Sequence, residues 1–199
     1  MRVFKSGFTL IELTLVISII AILSTVLLAN FGEGAAQSRD TERKAELRNL
    51  QTAIELYRQR NGEYPLGCNG VDDWSGQARS GHECGGGNFE YIVDLAPEFI
   101  SSLPVDPRAT SNTGYVYYVN ADQTVFKLVA HESVESEIVT NNNTFRSCDV
   151  SLCAGSPSHC QETNSTFQTS YGVWGGYAAG TDLTEVDDNT RAVICTPTP

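Results

Sequence analysis

The 199-residue sequence predicts an α+β chain in which a long N-terminal helix packs on a small antiparallel β-sheet head that ends in a cysteine-containing tail. Three observations carry this expectation. A nearly uncharged run close to the N-terminus is long enough to form a membrane stem. An amphipathic stretch continues it with no proline to stop a helix. Two segments rich in Val, Tyr and Phe then follow, separated by a short polar turn.

The stem comes first. Phe8 to Phe31 is a run of 24 residues whose polar members besides Glu12 are Thr, Ser and Asn. A bilayer core needs about 20 apolar residues as helix, so the run can span it. Arg2 and Lys5 precede it and no acid does, which places the N-terminus in the cytoplasm. A secretory signal peptide has an apolar region of only about 7–15 residues and ends at a small-x-small site. Here the small residue, Gly7, lies before the run, so a cut there leaves the membrane segment on the mature chain. A carboxylate at mid-bilayer costs roughly 2.5–3.5 kcal/mol on insertion scales. Glu12 is therefore expected to meet a partner charge, and that expectation points to assembly.

Lys5-Ser6-Gly7 followed by Phe8-Thr9-Leu10-Ile11-Glu12 resembles the class III signal of type IV pilins and type II secretion pseudopilins. The resemblance implies a pilin-like fold and a leader, residues 1–7, removed by prepilin peptidase between Gly7 and Phe8. It also implies N-methylation of Phe8, residues 8–34 as transmembrane and filament-core helix, and Glu12 as the assembly carboxylate. The Phe8 ammonium of one subunit would neutralise Glu12 of its neighbour, an ion pair that is strong once both partners are desolvated together. A plain signal anchor with a stray acid is the rival, disfavoured because intramembrane acids are rare. The chain departs from the family in one respect. Many pilins carry a proline about two-thirds along the run, whereas the first proline here after the leader is Pro65. Gly32 and Gly34 are the weak points, each costing about 1 kcal/mol in a helix relative to alanine. Any break in the helix is expected near Asn30–Ala36.

Residues 35–60 form the amphipathic half. Leu47, Leu50, Ile54 and Tyr57 recur at three- and four-residue spacing and make one apolar stripe. Asp40 and Lys44 are placed to pair four apart, and Glu42 and Glu46 to repel slightly. Asn61-Gly62 supplies the stop and Pro65 prevents continuation. A helix from Phe8 to Arg60 would be about 80 Å long.

The head, residues 61–131, carries a more diffuse likeness. ELRNLQTAIELYRQRNGEYP, FEYIVDLAPEFISSLPVDPRA, GYVYYVN and TVFKLVA resemble the heads of small pilins and of the major secretion pseudopilin. There a Tyr-Pro ends the helix, a short helix leads to a Leu-Pro-x-Asp-Pro turn, and an antiparallel sheet follows. From the residues alone, Tyr91 to Ile100 reads as a short helix interrupted by Pro97. Gly114 to Asn120 and Thr124 to Ala130 read as a β-hairpin. Tyr115, Tyr117 and Val119 share one face and Val116 and Tyr118 the other. These aromatic faces are expected to be core against the long helix, not a ligand platform.

The C-terminal extension, residues 132–199, is rich in Ser, Thr, Asn and Gly and gives no clear element pattern. It holds Cys148, Cys153, Cys160 and Cys195, while Cys68 and Cys84 flank a glycine-rich loop after the helix. An even count in an exported, loop-rich domain predicts disulfides, each contributing about 2–4 kcal/mol. Cys68–Cys84 is the favoured local pair, and the other four staple the tail in an open connectivity. A metal site at Cys148, Cys153, His159 and Cys160 is the rival, but it lacks the paired C-x₂-C spacing of structural zinc. The loop GTDLTEVDDN offers Asp182, Asp187 and Asp188, beside Glu185, as calcium candidates, since secretion pseudopilins bind calcium in a C-terminal loop rich in Asp and Gly. A solvated turn is the simpler account, and no cofactor is otherwise expected.

Charge and motifs bound the function. From Asn61 onward there are 5 basic and 18 acidic residues, so the head does not attract nucleic acid through its general field. His82, His131 and His159 lie in dissimilar loops, no hydrolase, zinc-protease or phosphate-loop motif occurs, and Gly85-Gly86-Gly87 reads as turn flexibility; no enzyme is expected. Asn142-Asn143-Thr144 and Asn164-Ser165-Thr166 fit glycosylation sequons, which a tail of this composition also produces by chance. The expected function is a structural subunit of a type IV pilus, a helical homopolymer of this chain. It would be handled by prepilin peptidase and the inner-membrane assembly machinery, held first in the cytoplasmic membrane and then displayed as an extracellular filament. The alternatives are a type II secretion pseudopilin, a minor pilin, or a membrane-tethered binding domain that never polymerises.

Overall fold

The computed structural model describes residues 9–76, 83–84, 90–148, 160–176, 185–186 and 193–194, with backbone alone at 26–31, 185–186 and 193–194. Helix α1 runs over Leu10–Asn61. The chain divides into two compact units, Met1–Ser38 and Arg39–Pro199, each taken here by itself. The α+β class expected from the sequence is what the chain adopts.

Helix α1 ends as its sequence predicts. Gly62 takes φ +90°, a left-handed conformation that suits glycine, and its N–H donates to the Arg58 carbonyl at 2.8 Å. The break expected near Asn30–Ala36 is not present: α1 is helical through Gly32 and Gly34. About 1 kcal/mol per glycine is a small penalty beside the backbone donors and acceptors that a broken turn would leave unpaired.

In the second unit a four-stranded antiparallel sheet forms in the order β1 (Trp74–Gly76), β2 (Gly114–Val119), β3 (Val125–His131) and β4 (Tyr171–Gly176). Strands β2 and β3 are the hairpin read from the sequence, in register Tyr115 to Ala130 and Tyr117 to Leu128. Its turn is tied by Asn120, whose Oδ1 accepts from the Thr124 and Val125 amides at 2.8 Å each. A short helix α2 (Ser165–Gln168) precedes β4, and a two-stranded ladder joins β5 (Glu185–Val186) to β6 (Val193–Ile194).

The core lies between α1 and one face of the sheet. Leu47, Leu50, Ala53 and Ile54 of the helix cluster with Tyr115, Tyr117, Val119, Phe126, Leu128 and Ala130. Tyr57 packs at its edge with its ring 5.3 Å from that of Phe99. Val139, Cys148, Cys160, Phe167, Tyr171 and Val173 join the cluster, so the tail builds core instead of decorating it. Strand β4 approaches closely at Gly176, which has φ +96°; a Cβ there would sit 2.0 Å from the Thr124 carbonyl oxygen.

Tyr91 to Ile100 is a set of turns and not the short helix expected. Pro97 lacks the N–H that the next helical turn needs, its peptide bond with Ala96 is cis, and Asp94 sits at φ +58°. Phe99 N–H still reaches the Leu95 carbonyl at 3.0 Å, a helical-type bond that does not propagate. Tyr91, Ile92 and Leu95 enter the core from these turns. The Asp40–Lys44 pair is also replaced: Asp40 is buried with Arg43 and bonds it, while the partly exposed Lys44 bonds Glu137 across the fold.

The opposite sheet face is buried too, with Trp74, Val116, Tyr118, Val125 and Val129 in a second apolar cluster. Lys127 lies on that face, in register with Tyr118 and Trp174, and is 2 % exposed. Burial pulls its pKa from an ordinary 10.5 down to about 7. The folded chain thus sheds this proton at a lower pH than the unfolded chain, and stability rises as pH climbs from about 7 toward 10.5. Denaturant unfolding near pH 7 and near pH 9.5 should give the later midpoint at the higher pH, and Lys127→Met should flatten that difference. Equal midpoints in the unsubstituted chain would refute the assignment.

Candidate functional site

The first unit begins its helix with a reciprocal cap. Thr9 Oγ1 accepts from the Glu12 amide at 3.3 Å, while Glu12 Oε2 accepts from the Thr9 amide at 2.8 Å and from Thr9 Oγ1 at 2.7 Å. This is a capping box: the side chains at the cap and three residues on satisfy each other's backbone donors at the helix start. The signal for it, Thr-x-x-Glu before an apolar run, was present in the sequence and was not read there. Glu12 is held by a neutral partner on its own chain, which leaves its charge without a counter-charge among the described residues of the first unit.

The other hydroxyls of the run turn inward on the backbone. Thr14 donates to the Ile11 carbonyl at 3.1 Å, Ser18 to Thr14 at 2.6 Å, Ser24 to Ile20 at 2.7 Å and Thr25 to Ile22 at 2.7 Å. Such bonds leave these four hydroxyls in no need of outside partners, as a helix in an apolar medium requires. Meanwhile Leu10, Ile11, Leu13, Leu15, Val16, Ile17, Ile19, Ile20, Ile22 and Leu23 are all exposed, from 81 % at Leu10 to 47 % at Val16. These residues are consecutive enough to occupy every side of the helix, so no polar face remains to meet water. Among the described residues no helix is long and apolar enough to cross a membrane. The span read from the sequence includes Phe8 and the side chains of 26–31, which lie outside that description. Gly7, on the other side of the expected cut, lies outside it as well.

In the second unit the C-terminal half of α1 is locked by charge. Arg43 is fully buried; its Nε and Nη2 grip both oxygens of Asp106 at 2.7 and 3.0 Å. Its Nη1 reaches Asp40 at 2.8 Å and Glu135 at 2.9 Å. Asp40 also accepts from the Glu135 and Ser136 amides and from Ser136 Oγ, at 3.1, 2.7 and 2.6 Å. Glu135 accepts further from Arg39 at 2.6 Å and Arg108 at 3.0 Å. Three arginines thus face three carboxylates, and the helix is tied to two loops far apart in sequence. Burial alone would lower the Arg43 pKa, but the bonds to Asp106, Glu135 and Asp40 outweigh it and raise it. Arg39, with help from Arg43 and Arg108, pulls the Glu135 carboxyl from an ordinary 4.5 to about 2 against the opposing effect of burial.

A second polar group sits beside the first. Glu137 accepts from Lys44 Nζ and from the Tyr171 hydroxyl at 2.6 Å each, and the Lys44 ammonium lies 4.6 Å from the Tyr171 ring centre. The Tyr115 hydroxyl donates to Glu46. None of these partners was legible from spacing, since Glu137 comes from a tail with no periodic pattern and Tyr115 reaches Glu46 from 69 residues away.

Cys68 is bonded to Cys84, and Cys148 to Cys160. The second bond removes two of the four ligands of the alternative metal site, because a thiolate is needed for coordination. Cys153, Cys195, His159 and the calcium candidates Asp182, Asp187 and Asp188 lie outside the described residues, as do His82 and Gly85-Gly86-Gly87.

A family model described as the prokaryotic N-terminal methylation motif matches residues 4–28, the segment that carries Gly7, Phe8 and Glu12. This motif is the class III signal of type IV pilins and pseudopilins, and it supports a protein of that kind. No curated protein and no solved structure matches the chain.

Two outcomes test the lock in the head. Arg43→Ala should lower unfolding stability by about 3–5 kcal/mol by leaving buried carboxylates uncompensated, whereas Arg60→Ala, at the exposed pair with Glu98, should change it by no more than about 1 kcal/mol. Because the folded-state pKa of Glu135 is depressed, its contribution is whole above pH 4.5 and fades as pH falls toward about 2. Glu135→Gln should be less stable at neutral pH and show a shallower acid loss; a parallel acid profile would contradict the assignment.

Proposed function

We propose that this chain is a structural subunit of a type IV pilus, cut between Gly7 and Phe8, N-methylated on Phe8 and polymerised through its N-terminal helices. The observation that carries the reading is the methylation motif over residues 4–28, set on a helix start whose exposed large side chains from Leu10 to Leu23 are apolar apart from Glu12. Apolar side chains of this number gain by leaving water, at roughly 25 cal/mol per Å² buried, and neighbouring stems supply that surface. The single acid then sets axial register.

The capping box gives Glu12 a part in both states. In the unassembled subunit Thr9 supplies two hydrogen bonds and keeps the carboxylate at the helix start. In the filament the Phe8 ammonium of a neighbour supplies the missing charge. A stem shifted by one turn would leave Glu12 buried and unmatched, a penalty of about 3–5 kcal/mol per subunit. The partners in this reading are other copies of the chain, prepilin peptidase, and the inner-membrane assembly machinery. The subunit waits in the cytoplasmic membrane with its N-terminus inside, then moves into an extracellular filament. Its role is structural, with no catalysis and no cofactor. A type II secretion pseudopilus uses the same signal and the same helix logic, and the site of accumulation separates the two.

Electron microscopy of the sheared surface fraction, with mass spectrometry of any filaments, tests the proposal. Thin filaments built from this chain and starting at methylated Phe8 are expected, and Glu12→Leu should abolish them while the cut at Gly7 persists. A processed chain that stays in the envelope without filaments would favour the secretion pseudopilin, and a chain still starting at Met1 would end the reading.

A further inference from the structure

Of the two glycosylation sequons, the fold closes one and presents the other. Asn164 is the N-cap of α2: its Oδ1 accepts from the Thr166 and Phe167 amides at 2.9 and 3.2 Å. The hydroxyl that completes its sequon, on buried Thr166, donates to Glu132 at 2.8 Å. The Asn164 carboxamide, held through its oxygen, and the Thr166 hydroxyl are thus both committed to the fold, and freeing them for an enzyme would undo the start of α2. Asn142-Asn143-Thr144 differs at each point. Thr140 to Asn143 forms a β-turn closed by the Asn143 amide on the Thr140 carbonyl at 3.0 Å, which puts Asn142 at its outer corner. The turn is anchored from both sides. Asn143 Oδ1 accepts from the Thr140 amide and hydroxyl at 3.1 and 2.9 Å, and the Asn141 amide donates to Glu162 at 2.6 Å. Asn142 and Thr144 are exposed, and among the described residues neither side chain makes a hydrogen bond.

We infer that Asn142 is a glycan-acceptor site, modified through its side-chain nitrogen once the head has crossed the membrane. An accessible turn on an exported domain is the setting in which an N-x-[ST] sequence can act as acceptor. The donor is an oligosaccharide held on a lipid pyrophosphate. Asn142 Nδ2 forms a bond to the anomeric carbon, the bond from that carbon to phosphate oxygen breaks, the lipid pyrophosphate leaves with the electron pair, and one amide proton passes to a carboxylate of the transferase. The Thr144 hydroxyl, exposed and without a hydrogen bond among the described residues, is the group the transferase would recognise beside it. The turn need not move, because its anchors are Thr140, Asn141, Asn143 and Glu162 and none of them is the acceptor.

Peptide mapping by mass spectrometry of the protein purified from its native cells tests this site. The peptide with Asn142 should carry the added mass of one or more sugars, and the peptide with Asn164 should not. Asn142→Gln and Thr144→Ala should each lose the whole addition, while Thr144→Ser keeps it. Unmodified Asn142 in the native protein would overturn the inference, as would sugar on Asn164 or an addition that survives Asn142→Gln. The same digest reads whether the chain starts at Phe8, so failure of this site and failure of the filament reading are told apart.

Discussion

A guanidinium with no access to water sits where helix, sheet-side turn and tail meet. Taking Arg43 out of solvent costs several kcal/mol, and that cost is offset only while Asp106, Asp40 and Glu135 keep their positions around it. The arrangement therefore acts as a geometrical demand. The turn at Asp106 and the loop at Glu135 must each stand at one distance and one angle from α1, since bidentate contacts tolerate little slippage. Apolar packing of Leu47, Leu50 and Ile54 supplies the larger share of the favourable energy but would accept several registers. The ion cage selects among them.

Along α1 the same backbone serves two kinds of surroundings. Up to Leu23 the exposed surface is largely hydrocarbon, and the hydroxyls of Thr14 and Ser18 are returned to carbonyls of the helix. From Asp40 onward the buried face combines an apolar stripe with charge that has been paired and enclosed. Glu12 belongs to neither scheme: it is charged, on the apolar portion, and bonded only to Thr9 among the described residues of its unit. A fold that compensates Arg43 with three acids makes an acid with no cation among the described residues of its unit a meaningful exception, and the proposed assembly would resolve it.

The elements with a strong local signal were legible in the residues. The amphipathic stripe, the Asn-Gly stop and the Val- and Tyr-rich run GYVYYV before its polar turn are each set by neighbours within a few positions, and each appears as read. Tyr91–Ile100 misled because its composition suits a helix while Pro97 denies it the donor that would carry the turn forward. Strands β1 and β4 left almost no trace, since WSG and YGVWGG are short and glycine-rich, and they become strands through the partners they meet. The candidate assembly residue was singled out by its charge in an apolar run and by the class III signal around it, yet its capping partner Thr9 was missed, although Thr-x-x-Glu is itself a start signal. Arg43 was invisible for a different reason: an arginine on a helix looks solvent-bound until acids 63 and 92 residues away close over it.

That separation has a consequence for the order in which the head comes into being. The hairpin β2–β3 closes over a few residues, but β4 joins β3 only after a detour of about 40 residues, and the cage waits for Glu135. Contacts of such long sequence separation form slowly because loop closure must precede any gain from them. A chain emerging N-terminus first would carry the stripe of Leu47, Leu50 and Ile54 only partly covered until its last third added Val139, Phe167, Tyr171 and Val173. The acidic excess beyond Asn61 is then useful during that interval, since like-charged nascent heads anchored side by side repel one another before their cores are shut.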